Sequence, residues 1–217
     1  MKKNIPKLII ITSSEPVYKE FEIINSLFNE GLECLHLRKP DYDLPELEHW
    51  LQQVNPHNLN KIVIHSHYEM AEKIRLKGIH FTNEFLNRTP EEDIFSIVQK
   101  AKSQKHTISA SVHSSEELKS LKFNYDYIFL SPVFDSISKQ GYKSSFNLKE
   151  LSVDLKNQDN ISVIALGGID EGNIELALQS GFAGVALLGA IWNTKREEVV
   201  DKFQRMKKIF KDIVNLV

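Results

Sequence analysis

The chain of 217 residues has a single cysteine, Cys34, which excludes an intramolecular disulfide framework. Glycine and proline are scarce, at nine and seven, and no Pro-, Gly- or Ser-rich stretch offers a linker between domains. Neither sign of charge dominates: 27 Lys+Arg stand against 29 Asp+Glu, a formal net charge of -2. The charges are scattered rather than blocked, so there is no basic footprint for nucleic acid and no polybasic anchor for a membrane. Long apolar runs are missing too, and the one within Met1 to Ile11 is far too short for a secretory signal or a span. The expectation is a cytoplasmic protein with neither nucleic acid nor membrane as partner.

What the chain does have is a 41% hydrophobic content, enough to bury a substantial core, and a regular rhythm. Short apolar, β-branched runs alternate with longer amphipathic stretches. Eight strands are predicted: Leu8–Thr12, Glu33–Leu37, Lys61–His65, Gly78–Phe81, Thr107–Val112, Tyr125–Ser131, Ser162–Leu166 and Ala183–Leu187. Several are apolar throughout, as strands of a parallel sheet covered by helices must be. Helical patterns fall at Pro16–Asn29, Pro90–Ala101 with Thr89 as N-cap, Ser114–Leu121 and Thr194–Ile213. Eight alternations come to roughly 27 residues per unit, the compact end of a (β/α)8 barrel. The predicted fold is α/β, a single-domain (β/α)8 TIM barrel over residues 1–217. A doubly wound open sheet is disfavoured because Thr12-Ser13-Ser14-Glu15 stands where a glycine-rich turn is expected.

A barrel places its chemistry at the C-terminal ends of its strands. That filter collects five of the eight histidines, and four of them, His36, His65, His80 and His113, are the candidate proton carriers, since histidine titrates near neutral pH. For each the commoner alternative is a hydrogen-bonded wall residue. His65 and His67 would share a face if the strand continued, and with His36 or His80 they would make a metal set. Acidic and cysteine ligands are missing nearby apart from Glu69 and Glu84, so no metal ligand is assigned. The turns Gly167-Gly168-Ile169-Asp170, ahead of a helix predicted from near Glu171, and Leu188-Gly189-Ala190 offer bare backbone after strands seven and eight. Gly167, Gly168, Gly189 and Ala190 therefore form a candidate phosphate site; the alternative is that the glycines only permit tight turns. Arg38, leaving an apolar strand, offers a planar fork for an anion. Ser111 follows strand five, and Ser136, Ser138 and Lys139 sit on the irregular stretch Asp135–Phe146, expected over the barrel mouth.

Leu35-His-Leu-Arg38, Gly78-Ile-His-Phe81, Ser111-Val-His-Ser-Ser-Glu-Glu-Leu118, Asp126-Tyr-Ile-Phe-Leu-Ser-Pro-Val-Phe134, Ser136-Ile-Ser-Lys139, Ala165-Leu-Gly-Gly-Ile169 and Gly181-Phe-Ala-Gly-Val-Ala186 occur in an order and spacing that resembles the thiamine-phosphate synthase and TenI family. The resemblance implies a (β/α)8 barrel that binds a thiazole phosphate, and a family that often forms homodimers. In the synthases a hydroxymethylpyrimidine diphosphate is joined to a thiazole phosphate, with Mg2+ neutralising the leaving diphosphate. It implies Arg38 for the diphosphate, Ser111, Ser136, Ser138 and Lys139 for the substrate loop and phosphates, and Gly168, Gly189 and Ala190 for the thiazole phosphate.

The departures matter as much. His36 stands where synthases have Gln, Pro40 where they have Lys, His65-Ser66 where they have Asn-Asp, and Phe85 where a second Asp is expected. Those aspartates are the Mg2+ ligands, so the diphosphate half of the site looks dismantled unless Glu69 or Glu84 substitutes. The favoured reading is therefore a TenI-like thiazole tautomerase or related metal-free enzyme, although the histidine of that branch falls at Pro132. The alternative is a Mg2+-dependent thiamine-phosphate synthase, and the second alternative a non-catalytic phosphate-ester binder.

Overall fold

The computed structural model describes residues 7–135, 146, 148–156 and 161–214. Eight parallel strands, β1 (Leu8–Ile11), β2 (Leu35–Leu37), β3 (Ile62–Ile64), β4 (Gly78–Phe81), β5 (Thr107–Val112), β6 (Tyr127–Leu130), β7 (Ser162–Leu166) and β8 (Gly184–Leu187), close into a barrel in chain order. Closure is made by β1 against β8, with Leu8, Ile9 and Ile10 opposite Val185, Ala186 and Leu187.

Alternation along each strand divides its side chains between two cores. Ile9, Ile11, Cys34, Val63, Tyr127, Phe129, Ile164 and Ala186 fill the barrel interior. The intervening residues, among them Ile10, Leu35, Ile62, Ile64, Ile79, Ile128 and Val185, pack outward against the helices. Both faces of every strand are thus buried, which is why the sequence shows apolar runs rather than polar alternation.

The helices described are α1 (Glu20–Asn29), α2 (Leu44–Gln52), α3 (Glu69–Lys73), α4 (Asn83–Arg88), α5 (Glu91–Ser103), α6 (Ser115–Lys119), α7 (Leu148–Lys156), α8 (Ile174–Gln179), α9 (Gly189–Trp192) and α10 (Val199–Val214). Asp43 caps α2 in a reciprocal capping box with Glu46. None of the described helices is long and apolar enough to cross a membrane.

Several boundaries differ from the sequence expectation for local reasons. Helix α1 begins at Glu20 rather than Pro16, because Lys19 takes a left-handed conformation (φ 59°) that interrupts the helical path. The N-cap of α5 is Pro90, not Thr89, and Thr89 instead closes α4, donating its N–H to Phe85 O. Val199 rather than Thr194 opens α10, after the short 3-10 turn Arg196–Glu198. The helix expected from Glu171 starts at Ile174, because Asn173 ties the intervening turn by accepting from Asp170 N–H and donating to Gly168 O.

Candidate active site

The interior alternation continues upward from the apolar floor and changes chemistry as it reaches the rim. On β2, Cys34 is followed on the same face by His36 and then Arg38. Val63 is followed by His65, and Ser109 by Ser111. Cys34 sits on the floor, where burial pushes its thiol up to about 12 and leaves it without a nucleophilic form near neutrality. Above it His36, His65 and His80 are all buried.

The three imidazoles form one connected group. His36 Nδ1 lies 2.9 Å from His65 Nε2, and His36 Nε2 lies 2.6 Å from the Tyr127 hydroxyl. His65 stacks on His80 with ring centroids 4.2 Å apart. His80 Nδ1 is 2.9 Å from Ser109 Oγ and its Nε2 is 3.0 Å from Ser111 Oγ. Ser109 Oγ also lies 3.4 Å from Ile79 O; with its proton turned there it would accept from His80 Nδ1–H and leave the lone pair on Nε2. One ring nitrogen from each of the three histidines falls within 4.8 Å of the other two.

Burial is the main cause of the cluster's altered acidity. Desolvation, with the neighbouring imidazoles adding to it, holds His36 and His65 well below the ordinary imidazole range. Burial followed by the Arg38 charge lowers His80 to about 3. At neutral pH all three are uncharged, and a nitrogen that resists protonation so strongly is a weak general base.

Over the cluster opens a cavity of about 530 Å³ whose walls draw on all eight strand ends, including Ile11, Arg38, His65, Ser111, Leu166 and Leu188. A second cavity of about 640 Å³ lies on the outer flank beside α3, α4 and α5 and shares only His65, Ser66, Thr82 and Glu84 with the mouth. The mouth is where barrel chemistry is built.

Arg38 is exposed at this rim rather than buried in the barrel. Its backbone N–H donates to Thr12 Oγ1 at 2.8 Å, and the Thr12 hydroxyl donates back to Arg38 O at 3.1 Å. Thr12, buried at the end of β1, thereby fixes where the guanidinium leaves the strand. His113 also lines the mouth. Its Nδ1 lies 2.7 Å from Ser131 O, which can only accept, so Nδ1 carries the proton and Nε2 is the lone-pair nitrogen.

Other expected site residues fall differently. β3 ends at Ile64 and His67 is left-handed (φ 49°), so His65 and His67 do not share a strand face. His67 instead reaches Tyr42 O and Glu69. Glu69 lines the flank cavity and not the mouth, whereas Glu84 lines both. Glu84 is paired to Arg88 at 2.5 Å on an exposed surface.

Gly167 and Gly168 are both at positive φ, and a Cβ on Gly168 would stand 2.3 Å from Asp135 O. The glycines therefore let the chain after β6 pack on the end of β7, where Val133 and Phe134 donate to Leu166 O and Gly167 O. Of the two turns only Leu188 lines the mouth cavity; Gly167, Gly168, Gly189 and Ala190 do not. In the second turn Ala190 is buried; Gly189 and Ala190 open α9, ahead of its first backbone bonds, from Ile191 and Trp192 to Leu188 O. Ser136, Ser138 and Lys139 lie outside the described residues.

Sequence reasoning passed over Tyr127, Ser109, Thr12 and Lys39. For the first two a signal existed: each stands two residues before a residue of the mouth on its own strand, Phe129 and Ser111, and so faces the interior.

A closed parallel barrel with an arginine, histidines and hydroxyls around a cavity at its strand ends is the frame of a (β/α)8 enzyme acting on a small molecule. Residues 8–191 match the family model described as thiamine monophosphate synthase. A thiamine-phosphate synthase of Lysinibacillus sphaericus is 25% identical over 96% of this chain and 99% of its own length. One of Staphylococcus haemolyticus is 30% identical over 69% of this chain and 66% of its own. The crystal structure of thiamine phosphate pyrophosphorylase from Bacteroides thetaiotaomicron superposes with a TM-score of 0.76 at 32% identity, covering 94% of this chain and 98% of that one. The chain belongs to the thiamine monophosphate synthase family and is an enzyme of that family.

Proposed function

We propose that the chain carries out the joining reaction of the synthases it resembles: a pyrimidine carbon is transferred from its diphosphate to a thiazole phosphate at the barrel mouth. Similarity to named synthases along nearly the whole chain supports this over the metal-free tautomerase favoured by sequence alone. The observation that carries it is that likeness over nearly the full length of both chains; the burial of the histidines counts against the tautomerase. Three of the four bases on which a tautomerase reading depended are held neutral and weakly basic.

In the joining reaction the carbon–oxygen bond to the diphosphate breaks and its electron pair leaves with pyrophosphate. The thiazole phosphate then bonds to that carbon. Arg38, held in place by Thr12, would grip the diphosphate through its fork. Ser111 Oγ would donate to a phosphate oxygen, and the Leu188-Gly189 turn, whose Leu188 lines the mouth, would hold the thiazole phosphate. Ile11, Phe129, Leu166 and Leu188 in the cavity wall would limit access of water to the reacting carbon.

The oxygen donors at the mouth, Glu84, Asn83 and Ser66, fit a Mg2+ ion carried chiefly by the substrate's own diphosphate and anchored by one carboxylate. They do not fit a two-carboxylate cradle. The exposed Glu84–Arg88 pair contributes little stability, so the carboxylate is free to exchange partners. Bound there, the ion would neutralise charge on the departing diphosphate.

The test is to mix both substrates with the full chain and follow pyrophosphate. Release that needs added Mg2+ and falls sharply in Arg38→Ala is expected; no release with both substrates present would overturn the proposal. One observation favours a second reading, proton transfer on the thiazole ring by His113, whose Nε2 lone pair remains available at the mouth. Isomerisation of a thiazole phosphate without pyrophosphate release, lost in His113→Asn, would establish that reading instead.

A further inference from the structure

We propose that His36, His65 and His80 form a binding site for one divalent transition-metal ion of the zinc type, its fourth position open to the barrel mouth. The inference rests on the three rings alone and holds whichever reaction the enzyme performs.

Geometry comes first. The ligand nitrogens lie within 4.8 Å of one another and two of them are already 2.9 Å apart. Zinc–nitrogen bonds of about 2.0–2.1 Å in a tetrahedron set ligand nitrogens about 3.3 Å apart. Ring rotations of less than about an ångström per nitrogen would therefore complete the coordination. The ligands come from the ends of three adjacent strands, the most rigid part of a barrel, with His36 opposite Val63 and the carbonyl of Leu37 holding the N–H of His65.

The protonation state is also the one a metal needs. All three imidazoles are kept neutral by burial, so no proton has to be expelled against an ordinary imidazole affinity.

The surroundings supply what metal-bound histidines require, a partner on the other ring nitrogen that fixes the tautomer. Ser109 would accept from His80 Nδ1–H and leave Nε2, now beside Ser111 Oγ, for the ion. Tyr127, on His36 Nε2, would accept that N–H and leave Nδ1 facing His65.

The donor set decides the class of ion. An all-imidazole trio suits zinc, cobalt, nickel or copper and is a poor match to Mg2+ or Ca2+, which want oxygen. His65 and His80 line the mouth cavity while His36 lies beneath them. The open position therefore faces Ser111 and Arg38, where an anionic group of a substrate would neutralise the ion.

The test uses chelator-treated full chain titrated with Co2+. Saturable one-to-one binding with the visible bands of tetrahedral cobalt, displaced by Zn2+ and untouched by millimolar Mg2+, is expected. Tyr127→Phe should weaken binding about 10–100-fold through loss of the outer partner, and His80→Gln and His65→Gln should each abolish the tetrahedral spectrum. Absence of that spectrum in the wild-type chain, displacement by Mg2+, or an unchanged spectrum in the folded histidine variants would overturn the proposal. The wild-type titration decides the matter even if a variant fails to fold.

Discussion

Lys39 Nζ lies 2.9 Å from Glu20 Oε1, with the two side chains 0% and 6% exposed. Trp50 Nε1–H donates to the other carboxylate oxygen at 3.2 Å. Two consecutive residues after β2 thus both border the mouth but differ in use: Arg38 is exposed at the rim, while the buried Lys39 ties the strand end to Glu20 of α1, which Trp50 of α2 also holds.

Removing the lysine would leave the Glu20 carboxylate buried beside Trp50 without a counter-charge. Lys39→Met is expected to cost about 3–5 kcal/mol in urea unfolding. An unchanged urea midpoint would contradict a closed ion pair.

At the end of β7, Gly168→Ala meets both an unfavourable φ of +66° and the Asp135 carbonyl at 2.3 Å. The left-handed conformation alone costs about 1–2 kcal/mol, so a melting temperature lowered by at least roughly 2–4 °C is expected. Gly172→Ala, with nothing within 4 Å of the added methyl, is the control and should melt near the wild type.

Ligand-induced stabilisation reports on the rim directly. A thiazole phosphate at about 100 times its Kd should add about 2.7 kcal/mol of stability by mass action. Arg38→Ala should diminish the shift produced by a diphosphate, and Arg38→Lys should restore it only in part, because an ammonium lacks the planar fork. A wild-type chain whose melting is indifferent to millimolar phosphate esters would count against every phosphate-binding reading of the mouth.

Acid should destabilise metal-free protein through the histidine cluster. In the unfolded chain these histidines take up protons near about pH 6.5, whereas in the fold burial keeps His80 neutral down to about 3 and holds His36 and His65 well below their ordinary range. The unfolded state therefore binds more protons as the pH falls. Stability is complete above about 6.5 and declines below it, by up to about 1.4 kcal/mol per pH unit for each histidine. Urea midpoints from neutral to mildly acidic pH measure the slope, which should be shallower in His80→Asn; a flat profile in the wild type would refute the account.

The candidate site was legible in the sequence to the extent that strand ends were. His36 and His80 stand on strands whose apolar neighbours make the alternation plain, so their inward direction followed from period alone, with His80 at the mouth and His36 beneath it. His67 did not, because β3 stops at Ile64 and the chain turns left-handed, a backbone choice that no side-chain pattern announces. Glu69 and Glu84 look equivalent as acidic residues near the ends of β3 and β4. Only the packing of α3 and α4 sends Glu69 to the flank and brings Glu84 to the mouth as well.

What the sequence determined by itself was the barrel, because eight apolar runs at regular spacing have few other ways to bury both faces; its motifs added the resemblance to the family. What tertiary structure decided was the character of the groups inside. Desolvation within the closed barrel turned three histidines expected to move protons into neutral nitrogen donors around a common centre, and burial on that scale depends on how distant strands enclose a volume rather than on any local pattern of residues.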